Sequence, residues 1–491
     1  MMKTTELILQ NVSQPAAQPT SPIVARRATA MKAVLLLLLP LAAIPAPCAA
    51  QAIPAASASP ISTGFTLPSA AGTLQYAVST SESLSTNYFG NSGVTSYTNL
   101  TGDLGYISGS QLTPFSMVFT GGRSWSTSGQ AAYNYLGLAI NQGIHAKRWV
   151  FVISDSVSYL PATPSTGLSG VPGVGDLGVN PVPTGVNPGP TGTNPGPVGG
   201  NPGPVGGNPG PTGANPGQGV LTGFSSRVTN NSSLSIERPL TGKTTLQASG
   251  SYTLTRFLND STTPINPGLD SDGESGSLNL SHRIGARDSV SGNFSYSRNT
   301  YSSTSFSPPE PSFTSQTASL QYSHQLTRKL QVSASAGPQW TSIDTPGNTP
   351  ALSLYASLAS TYTGEFSHAT LAYTRSSNSG YGVVAGAISN SVTFSTGRVF
   401  DRVWMCALTS AYTQTAQLPS ANGPPFTFHT TVAGVQVSRA IARSLSAYAS
   451  YTLQNQSNQG SAAAVDLFSG LSNVAGFGLT YSPSAIRLGH S

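Results

Sequence analysis

The sequence predicts an all-β chain: a transmembrane antiparallel β-barrel of about 18 strands, within about 16 to 20, with a long disordered Pro/Gly-rich extracellular insert. Three observations carry this expectation. A period-two alternation runs from residue 72 almost to the end, its polar face is nearly free of charge, and the cations gather at spaced short turns.

Only 8% of the 491 residues are Asp, Glu, Lys or Arg, against about 25% in an ordinary soluble domain. Surface charge is therefore not what suits this chain to its surroundings. The chain is 38% apolar, but after residue 50 no uninterrupted apolar run approaches the about 20 residues of a spanning helix. Spanning helices are excluded there. In Leu246 to Thr255 the even positions are apolar or small and the odd positions polar, the spacing at which successive side chains leave opposite faces of a strand. "VSGNFSYS" (290–297), "ASLQYS" (318–323) and "LSAYASYT" (445–452) repeat the pattern. A soluble sheet would carry Lys and Glu on its wet face, whereas here that face is Ser, Thr, Asn and Gln. Apolar side chains then face outward and polar ones inward, and closure leaves no unpaired backbone edge in lipid.

In chain order, residues 1–50 read as an upstream extension and a secretory signal peptide. Arg26, Arg27 and Lys32 precede the apolar run Ala33 to Ile44, and small residues follow. Met1 or Met31 is the initiator, and cleavage after Ala50 or Ala52 fits the small-residue rule. Pro47 stands where a lipobox has Gly or Ala, so Cys48 is not expected to be lipidated. Cys406 is then the only mature cysteine, which leaves no disulfide framework and no cysteine metal site. Without the signal region the basic residues fall from 22 to 18 and the acidic from 16 to 15, a net 18 − 15 = +3. That is no footprint for nucleic acid.

Residues 53–71 read as a flexible lead-in, 72–161 as the first five strands, and 221–491 as thirteen more ending in a C-terminal strand. Between them, 162–220 repeats Asn-Pro every seven residues, at Asn180, Asn187, Asn194, Asn201, Asn208 and Asn215. Its glycines alternate spacings of three and four, which rules out a collagen helix, and the turn-forming composition predicts an extended, disordered segment. It is a surface tether or a tolerated loop expansion.

The alternation, the segment lengths and the lack of edges resemble Gram-negative outer-membrane β-barrel proteins, porin-like in the broad sense, over roughly residues 72–482. The resemblance implies a cell outer membrane location, short periplasmic turns, longer extracellular loops and both chain ends on the periplasmic side. The cations then have a reason for their places. Lys147/Arg148, Arg238/Lys243, Arg283/Arg287, Arg328/Lys329, Arg398/Arg402 and Arg439/Arg443 put 12 of the 18 mature basic residues at six short turns, where a cation at the membrane edge stays hydrated. Near the end, Phe477, Leu479 and Tyr481 alternate as in the terminal strand read by the barrel-assembly machinery. The chain departs from that pattern by continuing past its final aromatic.

Catalysis needs a nucleophile, a base and an orienting group at one place, but His145, His282, His324 and His368 fall at separate turns. The chain is not expected to be an enzyme, and no cofactor or metal is implied. Asp155 breaks the outward parity of its strand, which a bulge bringing it inward would explain. Arg256, Arg298 and Arg375 lie just beyond outward aromatics, where guanidinium groups could hold lipopolysaccharide phosphates. Ser249, Ser251, Thr253, Asn293, Ser295, Gln321, Ser323, Ser446, Tyr448 and Ser450 are the candidate pore lining. Such a neutral lumen predicts a passive, weakly selective pore for small polar solutes. The alternatives are an autotransporter-like display protein with 53–161 as the exported module, and a closed structural barrel. The solute and the oligomeric state are not encoded in any motif.

Overall fold

The structure, a computed structural model, describes residues 72–88, 91–108, 110, 113–126, 132–160, 226–258, 270–302, 312–344, 350–378, 386–401, 403–418, 427–459, 470–483 and 486–488. The signal region, the 53–71 lead-in and the Asn-Pro-Gly insert lie outside the described residues.

The strands before the insert are β1 (Gly72–Tyr88), β2 (Asn91–Ile107), β3 (Phe115–Ser126), β4 (Tyr133–Ala146) and β5 (Trp149–Leu160). After it come β6 (Ser226–Pro239), β7 (Thr244–Leu258), β8 (Asp270–Arg283), β9 (Asp288–Ser302), β10 (Ser312–Gln325), β11 (Leu330–Ile343) and β12 (Ala351–Thr363). The remainder are β13 (Ser367–Asn378), β14 (Ala387–Phe400), β15 (Trp404–Gln417), β16 (Thr427–Ala440), β17 (Leu445–Gln459), β18 (Gly470–Tyr481) and the short β19 (Ile486–Leu488). Each strand from β1 to β18 pairs antiparallel with its sequence neighbours, and β18 pairs with β1 from Val78↔Tyr481 to Thr86↔Asn473. The result is the closed eighteen-strand antiparallel barrel that the alternation predicts. β19 runs on beside the start of β1, pairing Leu74 with Ile486 and Gly72 with Leu488. The tail past the last aromatic therefore extends the closing seam.

From β4 onward, one end of the barrel carries the tight turns, such as 147–148, 240–243, 284–287, 326–329 and 441–444, and the other carries the longer connections; before it, the β2–β3 connection at the tight-turn end spans 108–114 and only two residues separate β1 from β2 at the other end. The turns have a shared chemistry. In "LTGK" the Thr241 hydroxyl accepts from the Lys243 and Thr244 amides at 3.1 and 3.0 Å. In "LTRK" Thr327 does the same for Lys329 and Leu330 at 3.2 and 3.0 Å. A threonine at the second turn position thus replaces backbone partners that a four-residue turn leaves unmet.

Cross-strand partners share a face, so the register carries the inside and outside assignment around the sheet. Ser154, Ser233, Ser251, Ser275, Ser297 and Ser315 form one such row, running from β5 to β10. Ser154, Ser233 and Ser315 are buried, which marks the row as inward. The opposite parity exposes Leu278, Leu280, Phe294, Leu320, Leu352 and Leu358, an apolar band around the outside.

Close approach of two staves depends on Gly337. A Cβ there would overlap the Ala318 carbonyl oxygen, and Pro338 beside it brings no N–H to the ladder. The β10–β11 pairing skips Ala318 and Ser319 and then resumes in the same register. Gly337→Val is expected to displace both strands and to cost about 1–3 kcal/mol or more. A loss of the heat-resistant folded band on semi-native gels would show it, and unchanged unfolding would mean that the staves can part freely.

Candidate functional site

The inward wall of β6–β9 is an open polar surface inside the barrel. Inward positions on β1, β2 and β16 are buried almost throughout, whereas those on β6–β9 keep intermediate exposure at nearly every place. Register aligns this wall into rows. Ser235, Ser249, Ser277 and Ser295 make one, and Gln247, Asn279 and Asn293 the next. Thr245, Ser281 and Ser291 make a third, nearer the tight turns.

Neighbours in the rows bond to one another. Ser249 Oγ lies 2.7 Å from Ser277 Oγ, and Ser251 Oγ lies 2.7 Å from Ser275 Oγ. Gln247 Nε2 donates to Ser235 Oγ at 3.2 Å, and the Thr253 hydroxyl donates to Asn231 Oδ1 at 3.2 Å. A hydroxyl has one donor and two acceptor positions, so each keeps spare capacity for water or a solute after bonding its neighbour. The strand spacing repeats these groups about every 4.8 Å across the wall. Glu237, near the tight-turn end of β6, breaks the neutrality of this wall.

The ten candidate lining residues all fall on inward-parity positions. Ser249, Ser251, Thr253, Asn293 and Ser295 belong to the open wall, and Gln321 and Ser323 on adjoining β10 are buried. Ser446, Tyr448 and Ser450 sit apart on β17, with Tyr448 buried. Alternation along single strands identifies Ser249 or Asn293 but not their row partners. Asn231, Ser275, Ser277 and Asn279 come into their rows through the pairing between strands, whereas Gln247 already follows the alternation of Leu246 to Thr255. His145, His282, His324 and His368 lie at the tight-turn ends of β4, β8, β10 and β13, and His324 Nδ1 pairs with Asp288 Oδ1 at 2.7 Å. Among the described residues no cluster of His, Cys, Asp and Glu could hold a metal ion.

At the long-connection end, two parts of the wall that are not neighbours in the sheet meet. Tyr301, Phe313 and Ile343 from β9–β11 form a buried apolar cluster with Leu418, which follows β15, and Ile388 of β14 packs on it. Below it the β12–β13 pairing stops at Ala356↔Arg375, freeing the tip of β13. The Ser377 amide then donates to Gln339 Oε1 of β11 at 2.9 Å, and Ser377 Oγ lies 2.8 Å from Ser315 Oγ of β10. Gly386, at φ +89°, brings the chain close against the Phe313 ring. These contacts draw β13–β15 toward β9–β11 across the mouth.

The outer surface near this end holds polar groups that parity alone would give to lipid. Asp155 stays outward, because the β4–β5 and β5–β6 registers run without a shift. The bulge expected from the sequence is absent there. Asp155 Oδ1 instead accepts from Ser232 Oγ at 2.5 Å and Asn230 Nδ2 at 3.1 Å. Glu82 likewise accepts from the hydroxyls of Ser96 and Thr98. Arg256 binds both oxygens of Asp272 at 2.9 and 2.7 Å, and Tyr252 donates to the same carboxylate at 2.8 Å. Arg298 stands opposite Glu274 in the register, and Arg375 donates to Asn390 at 2.9 Å.

A closed, even-numbered barrel with an apolar exterior, a polar interior and alternating short and long connections defines a transmembrane β-barrel of the outer-membrane type. Strands β1–β5 are staves of that barrel, so residues 72–160 are not an exported display module. No protein-family model matches the chain, and no curated protein matches it. Among solved structures it is similar to Pseudomonas aeruginosa OpdQ, at 8% identity over 85% of this chain and 99% of that chain, with a TM-score of 0.39. It is also similar to the FrpB iron transporter from Neisseria meningitidis, at 7% identity over 84% and 82% with a TM-score of 0.42. For Pseudomonas aeruginosa OccK7 the values are 12%, 85%, 99% and 0.38.

Proposed function

We propose that the chain is a passive pore of the Gram-negative outer membrane for small polar solutes, with the inward wall of β6–β9 as its solute-facing surface. The open hydroxyl and amide rows on that wall carry this reading. Hydroxyl and amide rows replace some of a solute's water bonds without offering a counter-charge, Glu237 near the tight turns being the acidic group on this wall. Ions of either sign should therefore pass with little preference, and small neutral polyols should pass readily. In this reading a solute hydroxyl binds where a pair such as Ser249 and Ser277 opens and re-forms around it.

Single-channel recording of the refolded protein in a planar bilayer tests the proposal. Discrete conductance steps with a small reversal potential in a salt gradient are expected. Stable insertion without steps would favour the closed structural barrel. Arg256, Arg298 and Arg375 remain proposed contacts for lipopolysaccharide phosphate in the outer leaflet. The Asp272 pair occupies much of Arg256, which leaves Arg298 and Arg375 as the more available pair. Equal lipopolysaccharide binding by wild type and the Arg→Gln triple variant would rule out that contact. The barrel-assembly machinery is the partner proposed for insertion, reading the outward Phe477, Leu479 and Tyr481 of the terminal strand.

A further inference from the structure

The tight-turn end carries a recurring outward pattern of apolar residue, cation and apolar residue. On β6 it is Ile236, Arg238 and Leu240; on β16 it is Val437, Arg439 and Ile441, each at alternate positions and so on one face. His282 and His324 hold the middle position in two further hairpins. Leu240 and Ile441 occupy the first position of their turns and are exposed, although nothing in the turn geometry requires an apolar side chain there.

The arginines of this pattern stack on aromatics, as Arg123 does on Trp125 at 5.7 Å near the other end, whereas Arg256, Arg298 and Arg375 face carboxylate or amide groups. The Arg238 guanidinium lies 4.7 Å from the ring centroid of Trp149, and Arg439 lies 5.1 Å from that of Trp404. Arg398 lies 4.9 Å from Phe400, and Phe400 and Trp404 are cross-strand partners. Arg398 and Arg439 therefore flank one pair of outward aromatics. Neither ion pair among the described residues includes any of the three arginines. Stacking fixes the plane of a guanidinium while leaving its N–H edge free to bind an anion bidentately.

Depth and charge identify the anion. The aromatics mark the border of the apolar band, the aliphatic turn residues reach just beyond it, and Lys243 and Arg443 in the adjoining turns add positive charge. A flat edge presenting stacked cations between apolar anchors matches the headgroup of an anionic phospholipid, with the phosphate on the guanidinium and the acyl chains along the band. We infer that Arg238, Arg398 and Arg439, each stacked on an outward aromatic, form phosphate-binding sites for anionic phospholipid in the leaflet at the tight-turn rim. The inference does not depend on whether the lumen conducts.

The full chain in mixed micelles with phosphatidylglycerol, examined by native mass spectrometry, tests it. Wild type is expected to retain phosphatidylglycerol in preference to phosphatidylcholine, and each of Arg238→Gln, Arg398→Gln and Arg439→Gln to weaken that retention about fivefold. Arg283→Gln with Arg287→Gln removes turn cations that stack on no described aromatic and should change retention less. Arg439→Lys keeps the charge without the planar fork and should recover only part of it. Single variants guard against a triple variant that fails to fold. Retention unchanged in all three would overturn the inference. So would displacement of the lipid by inorganic phosphate at equal concentration, which would mark a free-anion site.

Discussion

Phe294→Arg is expected to abolish stable assembly, while Ser295→Arg, one residue along the same strand, is expected to leave a folded barrel. Phe294 sits at the middle of β9, is well exposed, and has the outward residues Leu278 and Ala318 as cross-strand partners. A guanidinium near the bilayer midplane costs about 2–4 kcal/mol, a large part of the about 5–15 kcal/mol that separates a folded domain from its unfolded state. Ser295 points to the open inward wall beside Ser277. An arginine there stays hydrated, and the pore should acquire a preference for anions. Semi-native gels read the first outcome, and the sign of the reversal potential reads the second. If both substitutions prove equally harmless, or equally harmful, the assigned parity of β9 is wrong, and with it the inside and outside of every strand registered to it.

That result would examine the part of the fold most legible in the sequence. Alternation in "VSGNFSYS" and "LSAYASYT" gives the faces because one parity meets lipid and the other water, and each strand records this independently. The turns were legible too, because Thr241 and Thr327 act on amides two and three residues away. Contacts between strands were much less so. Asp272 is sixteen residues from Arg256, and its own strand shows only "DSDGE", so the pairing appears once the register places both on the outward face. Asp155 reads as a parity error until Asn230 and Ser232 arrive from beyond the long insert. The recurring stacked arginines were visible as turn cations, but their aromatics lie on a neighbouring strand or two residues on. Least legible was the mouth. Phe313, Ile343 and Leu418 are lone apolar residues at strand ends, and nothing local says that non-neighbouring staves will meet there.

The mouth cluster is expected to limit passage, so Phe313→Ala with Leu418→Ala should raise the open fraction of single channels. Each truncation removes a side chain that is almost fully buried. Phe→Ala and Leu→Ala losses of this kind run at about 2–5 kcal/mol apiece. Here the loss falls on contacts between β9–β11 and β14–β15, while the ladder bonds between adjacent strands are untouched, so the barrel should still close. Even about 2.8 kcal/mol taken from the apposed state, a fraction of the combined loss, would shift the balance about a hundredfold toward separated walls. The polar contacts of Ser377 with Gln339 and Ser315 would then be the main described restraint on β13. Gln339→Ala added to the pair should raise the open fraction again, whereas Leu320→Ala on the outward face of β10 should not. Unchanged dwell times in the double variant would mean that the apposed strand ends are a rigid part of the rim. A wider conductance step with unchanged dwell times would place the cluster at a fixed constriction. Longer openings at constant step size would make it a latch between two states of the mouth.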